Sequence, residues 1–347
     1  MKLELRRLQL QSPGAGDARR SWPERHSLLV RLTDAQGRAG LGEAAPLPNY
    51  SPDTLDEVEP ALGSIDPAAL QQVFDQPTAR AALRAAAALL PMTLPSARLA
   101  LESATLDLLG KQQGVAAPVL LGVQPGAERQ VSFLLGPAGD SGLEARAEAA
   151  IAAGFRHFKL KLGGEGALGR ELRGVLALRK RFGVGISLRV DANGALAGGN
   201  VATAWEALER AGLELFEEPG ELPEALLGRL PLALDESLQG LSEAEVEAQV
   251  RKLQARGLVL KPTALGGLDH CWRLAERARD HGVDVVVSHC FEGPIGYRAA
   301  CALALALPRG LAHGLGPHPG LGVFSAPSPS LTTWREPGLG DFTRLWP

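Results

Sequence analysis

The sequence predicts an α/β protein, a modified (β/α)8 barrel of the TIM type with an α+β capping domain built from the N-terminal region and the C-terminal tail. Three observations carry that expectation. From about residue 129 onward, a short apolar run repeatedly ends in a polar residue, passes a Gly or Pro, and enters an alanine- and leucine-rich amphipathic stretch, which is the pattern of a βα unit. Eight strands can be written this way, at 129–136, 157–163, 187–193, 213–219, 230–237, 257–263, 284–290 and 311–316. Their polar residues gather at the C-terminal ends, which converge on one face of a closed barrel. No G-x-G-x-x-G follows an early strand, so a doubly wound open sheet is the weaker alternative.

Taken in order, residues 1–95 break the βα pattern. Leu3 and Leu5, then Leu28, Val30 and Leu32, alternate as strand residues do, DAQGRAG reads as a hairpin turn, and helical segments follow Ser51. This region is read as the cap, 96–320 as the barrel, and 321–347, rich in Pro, Gly and Ser, as a tail that returns to the cap. Between the barrel strands, segments such as LGRELRGVLALRKRFG and LSEAEVEAQVRKLQARG carry apolar residues at helix spacing and end near glycine.

Composition narrows the function. With 347 residues, 45% of them hydrophobic, and a net charge of −3, the chain offers no basic footprint for nucleic acid, and the expected partner is a small molecule. The opening MKLELRRLQL lacks the apolar core of a secretory signal and no run approaches about 18 apolar residues, so a cytoplasmic protein without membrane contact is expected. Cys271, Cys290 and Cys301 form no C-x-x-C pair and are expected to be packing residues. Of 36 basic residues only seven are lysine. Arginine stays protonated whereas lysine can give up its proton when buried, so a lysine inside a strand marks a place where arginine would fail.

FRHFKLKLGG, at 155–164, contains two such lysines. Phe158, Leu160 and Leu162 share one strand face, and Lys159 and Lys161 share the other. On the strands that follow, Asp191 ends RVDAN, Glu217 ends FEEP, and Asp235 ends LDES, although alternation leaves Glu218 and Glu236 open as rivals. Three clustered carboxylates repel one another without a cation, and hard oxygen ligands suit magnesium, with manganese as the alternative ion. Lys261 ends the next strand, placing lysines on both sides of the acids.

The ordered set K-L-K, D-A-N, E-E-P, D-E-S and K-P-T, with GLGEAAPLPNYS at 40–51, resembles the enolase superfamily, in particular its muconate-lactonizing-like branch with lysine bases on both sides of the metal. The resemblance implies Asp191, Glu217 and Asp235 as metal ligands, Lys161 and Lys261 as the acid/base pair, and Lys159 as an electrostatic helper that keeps Lys161 deprotonatable. It implies proton abstraction α to a carboxylate, through an enediolate. Within the branch the chain is most similar to the o-succinylbenzoate synthase family. This implies syn dehydration of 2-succinyl-6-hydroxy-2,4-cyclohexadiene-1-carboxylate to 2-succinylbenzoate in menaquinone biosynthesis. Arg189, Asn193, Ser288, Glu292 and Asn49 are the implied substrate-binding residues. His289 and Cys290 depart from the small hydroxyl residues usual in that family, and no D-x-D stands near the eighth strand, where dipeptide epimerases hold the substrate amine. N-succinylamino acid racemase or dipeptide epimerase activity is the alternative, and a Schiff-base aldolase using Lys261 a more distant one. His313 and His318 are read as structural.

Overall fold

The computed structural model describes residues 1–16, 20–164, 166–196, 200–324 and 328–346. Strands β1 (Lys2–Gln11), β2 (Glu24–Thr33) and β3 (Ala39–Ala44) form an antiparallel sheet in that order. The β2–β3 hairpin closes where Asp34 Oδ1 accepts the backbone N–H groups of Gln36 and Arg38, both at 2.9 Å. Both faces of β2 are covered. Leu28, Val30 and Leu32 pack with helices α1 (Leu55–Gly63), α2 (Pro67–Phe74) and α3 (Ala79–Ala88), while Leu29 joins the barrel core.

Helix α4 (Pro95–Gln113) begins where the cap was expected to end, and it is buried on nearly every side. A helix without a polar face needs cover all round. The cap sheet covers one side, and α10 (Pro262–Leu265) and α11 (Gly267–Asp280) cover another. Gly40 and Gly42 allow the close approach of β3, since a Cβ on Gly42 would overlap the Ala100 carbonyl oxygen.

After α5 (Ala117–Leu120) and β4 (Glu128–Gln130) comes a parallel sheet of β5 (Phe133–Pro137), β6 (His157–Lys161), β7 (Ser187–Asp191), β8 (Leu215–Glu217), β9 (Leu232–Leu234), β10 (Gly257–Leu260) and β11 (Asp284–Val287). Helices α6 (Leu143–Ala152), α7 (Leu168–Phe182), α8 (Asn200–Ala211), α9 (Glu243–Leu253), α11 and α12 (Pro294–Ala306) follow β5, β6, β7, β9, β10 and β11, and a short 3-10 turn at Glu224–Leu226 joins β8 to β9 instead. Helix α7 buries an apolar stripe with Leu172, Val175 and Leu178, whereas α12 is buried almost throughout. Leu215, Ala233, Val259 and Val286 fill the interior as one apolar cluster.

The eighth barrel position differs from the expected strand. Residues 311–316 close the gap between β5 and β11 only through isolated parallel bridges, Val131 with His313 and Ser288 with Gly314. The reason is that His313 Nδ1 accepts the Val287 N–H at 3.0 Å, so an imidazole replaces a backbone carbonyl in the ladder. The tail first pairs β12 (Ser330–Thr332) with β4, then docks Leu339 N–H on Asp107 of α4 at 2.7 Å. It ends with Trp346 under the Arg31 guanidinium of the cap sheet, 4.8 Å from the ring centre. Among the described residues no helix is long and apolar enough to cross a membrane.

The close approach of β3 to α4 yields an expected outcome. Gly42→Ala should cost about 1–3 kcal/mol or more, as overpacking does, read as a lower urea midpoint at unchanged slope. Gly185→Ala, where a Cβ meets nothing within 4 Å, should leave the midpoint in place.

Candidate active site

Parallel strands in register bring equivalent residues to one level. Lys161 of β6 lies opposite Asp191 of β7, which lies opposite Glu217 of β8, all at the C-terminal edge of the sheet. Asp235 follows directly on β9. Asp191, Glu217 and Asp235 are only 1%, 1% and 2% exposed, and a carboxylate oxygen from each lies within 4.8 Å of the others. The rival acids turn away from this cluster. Glu218, at φ +42°, accepts the backbone N–H of Asp235 at 2.6 Å and of Ser237 at 3.0 Å, bracing the strand tips instead. Glu236 lines the neighbouring cavity and accepts from Asn193 Nδ2 at 3.1 Å.

The trio fits a hard divalent cation. All its donors are oxygens, and Asp235 Oδ2 is buried without a hydrogen bond, with Lys261 Nζ at 2.7 Å as its ion-pair partner. Burial, then the neighbouring Glu236, pushes the Asp235 carboxyl well above its usual range, and Lys261 offsets this only in part. Such crowding is what a cation relieves.

Lysines stand on both sides of the acids. Lys159 pairs with Asp191 at 2.9 Å and with Glu217, and Lys161 donates to Asp191 at 2.7 Å and to Asn193 Oδ1 at 3.0 Å. Opposite them, Lys261 faces Asp235 and donates to the Tyr50 hydroxyl at 2.7 Å. Burial works against the charge on Lys159 and on Lys261. The facing acids outweigh it, Asp191 and Glu217 for Lys159 and Asp235 for Lys261, and raise both ammonium groups above their ordinary value. Asp191 is likewise held well below the usual carboxylate range, because Lys159 and Lys161 outweigh its burial. With the carboxylate trio assembled around the lysines, the Schiff-base reading, which needs a desolvated lysine without such a trio, has no support.

A cavity of about 720 Å³, counted with its open mouth, lies over this edge. The cap supplies Trp22 and Tyr50 to its wall, packed edge to face at 6.1 Å. Neither was anticipated, because an aromatic residue in a loop has no periodicity to mark it. Asn49 is exposed, and it is the following residue, Tyr50, that enters the cavity. Asn193 is at the site, and Ser288 lines it, with its hydroxyl donating to the Gly314 carbonyl at 3.1 Å.

Two other expected substrate contacts are elsewhere. Arg189 is buried against Glu214 at 2.5 Å and the Ala312 carbonyl at 2.6 Å, one layer deeper than Asp191. Glu292 is buried below the loop, accepting from Thr263 Oγ1 at 2.6 Å and from the Cys290 N–H at 2.8 Å. His313 is structural, as described, but His318 is a cavity residue together with His289. The three cysteines are free and buried.

A family model described as enolase C-terminal domain-like matches residues 142–327. The o-succinylbenzoate synthase of Desulfotalea psychrophila is 29% identical over 86% of this chain and 88% of its own length. Muconate cycloisomerase 1-1 of Acinetobacter lwoffii is 31% identical over 80% and 74%. Among solved structures, the dipeptide epimerase from Methylococcus capsulatus complexed with Mg and the dipeptide L-Arg-D-Lys superposes with a TM-score of 0.75 at 26% identity, over 98% of each chain.

Two outcomes follow from this geometry. Adding Mg²⁺ to chelator-treated protein at 100-fold over its dissociation constant should raise stability by about 2.7 kcal/mol, seen as a higher Tm, and Asp235→Asn should lose that response without being less stable than the metal-free wild type. Tyr50→Phe keeps the ring against Trp22 but removes the acceptor from Lys261. At about 1.5 kcal/mol for a hydrogen bond to a charged group, kcat/KM should fall roughly tenfold with the fold intact by circular dichroism.

Proposed function

The chain belongs to the enolase C-terminal domain-like family, and from that premise we propose that it is a magnesium-dependent o-succinylbenzoate synthase. It would dehydrate 2-succinyl-6-hydroxy-2,4-cyclohexadiene-1-carboxylate to 2-succinylbenzoate for menaquinone biosynthesis. The observation that carries the reading is the buried carboxylate trio with Lys159 and Lys161 on one side and Lys261 on the other.

Asp191, Glu217 and Asp235 would hold the ion. Bound magnesium would neutralise them and offset the negative charge that builds on the substrate carboxylate during proton removal. Lys161, steered by Asn193, takes the α proton, and the same ammonium returns it to the departing hydroxide as the C–O bond breaks, so that water leaves. Lys159, beside Asp191 and Glu217, adds positive charge next to Lys161 and attracts the substrate carboxylate. Lys261, on the opposite face, stabilises the developing charge. Cap residues from 1–95 roof a reaction carried by the barrel at 96–320, and the tail at 321–347 ties the two together.

The same two-sided lysine arrangement also serves racemisation, in which each lysine is the base for one enantiomer. Exchange of the α proton in D₂O separates the readings. For the synthase, Lys161→Arg, which keeps charge but cannot accept a proton, should lower kcat by about 10²–10⁴-fold, and Lys261→Ala should retain slow proton abstraction. If instead each lysine variant exchanges only one enantiomer of an N-succinylamino acid, and wild type leaves the cyclohexadiene untouched, the racemase reading replaces this one.

A further inference from the structure

At the cavity wall away from the carboxylate trio, the His289 and His318 rings meet edge to face with centres 5.5 Å apart. Phe291 braces both, at 5.0 Å and 4.8 Å, and is itself fixed at φ +54° with its carbonyl accepting from Arg25 Nε at 2.9 Å. The pair is therefore a rigid surface, held from the cap as well as the barrel.

The tautomers are set by the backbone. His289 Nδ1 accepts the Phe291 N–H at 3.3 Å, and His318 Nδ1 accepts the Gly320 N–H at 2.9 Å. A neutral ring whose Nδ1 accepts carries its proton on Nε2, so each imidazole keeps one N–H donor. No hydrogen bond from a described residue engages either Nε2, and both residues line the cavity.

From this geometry we infer that His289 and His318 form a second acceptor-binding subsite, which takes a carboxylate at the end of the substrate remote from the carboxylate trio. The inference rests on the proposed function only for which end of the ligand faces the trio. Burial, then the partner histidine and the lysines for His289, and burial, then Lys161 and Lys159 for His318, push both rings down, His318 to about 4 and His289 well below its ordinary value. Both are then neutral donors near neutral pH, and a carboxylate gains from their two N–H groups. An ammonium gains nothing from two N–H donors, and among the described residues the carboxylates that line the cavity, Asp191 and Glu236, are already paired with the lysines and Asn193. Binding of a dianion follows, and exclusion of substrates with a cationic far end.

The test is binding to the magnesium-loaded protein by calorimetry, with two probes that differ only at the far end. 2-Succinylbenzoate ends in a carboxylate, and 2-butanoylbenzoate ends in a methyl group. Wild type should prefer the dicarboxylate by tenfold or more. His289→Phe and His318→Phe, which keep the aromatic packing, should each erase most of that preference and leave the affinity for the monocarboxylate within about twofold, with His318→Gln restoring part of it. The idea is overturned if wild type fails to bind the dicarboxylate more tightly, or if both Phe variants keep the preference. A protein that shows the preference but does not dehydrate the cyclohexadiene retains the subsite and loses the reaction assignment, so the two fail separately.

Discussion

Two like charges about 4 Å apart repel by roughly 4 kcal/mol even at an effective dielectric of about 20. Asp191, Glu217 and Asp235, buried within that kind of distance of one another, cannot be held there unless cations are built beside them. The lysines on alternate positions of β6 and the lysine after β10 meet that requirement. Register does the rest, because parallel strands with Lys161, Asp191 and Glu217 at one level leave no freedom to separate the charges. The apolar layer of Leu215, Ala233, Val259 and Val286 keeps the charged edge at one end of the barrel.

The same constraint explains why the cap is tied so firmly to the barrel. Arg25 of β2 reaches the carbonyl of Phe291, and Glu43 of β3 accepts the N–H groups of Gly293 and Gly296 at the start of α12, at 3.0 Å and 3.1 Å. The loop from β11 to α12, which these anchors hold at its far end, carries His289 and Phe291. A cap that moved would take with it both Tyr50, the partner of Lys261, and the support of the imidazole wall. The buried side chains that couple the two units are thus positioned by the fold to act on the site at a distance, without touching a substrate.

What the sequence could reveal divides along physical lines. Residues on strands were legible, because a period of two assigns Lys159 and Lys161 to one face and the tip acids to one edge. Where the chain leaves the strand that rule ends, and so Glu217 against Glu218 and Asp235 against Glu236 were settled only by the turns that aim them. Arg189 obeyed the period and shares a face with Asp191, but it is one layer too deep, where Glu214 is its partner. Loop residues gave no such handle. Asn49 and Tyr50 are neighbours, and the positive φ of Asn49, +60°, decides which of them faces the cavity. His318 looked like a structural loop residue because the segment that returns it to the cavity is defined by Ser12 and its contact with Gly320, a pairing far apart in sequence.

The use of lysine closes the argument. A chain that places arginine at most of its basic positions keeps lysine at Lys159, Lys161 and Lys261, three of its seven. Charge alone does not explain that choice, since arginine would neutralise the carboxylates as well and could bind them bidentately. A compact ammonium differs in two respects. It fits between two carboxylates without covering their remaining lone pairs, and on the proposed function it would release its proton once a metal took over the task of neutralisation. On the proposed function, structural need and chemical need therefore select the same residue at the same positions: the cations that allow the acids to be buried would also be those from which, on cation binding, a base is made.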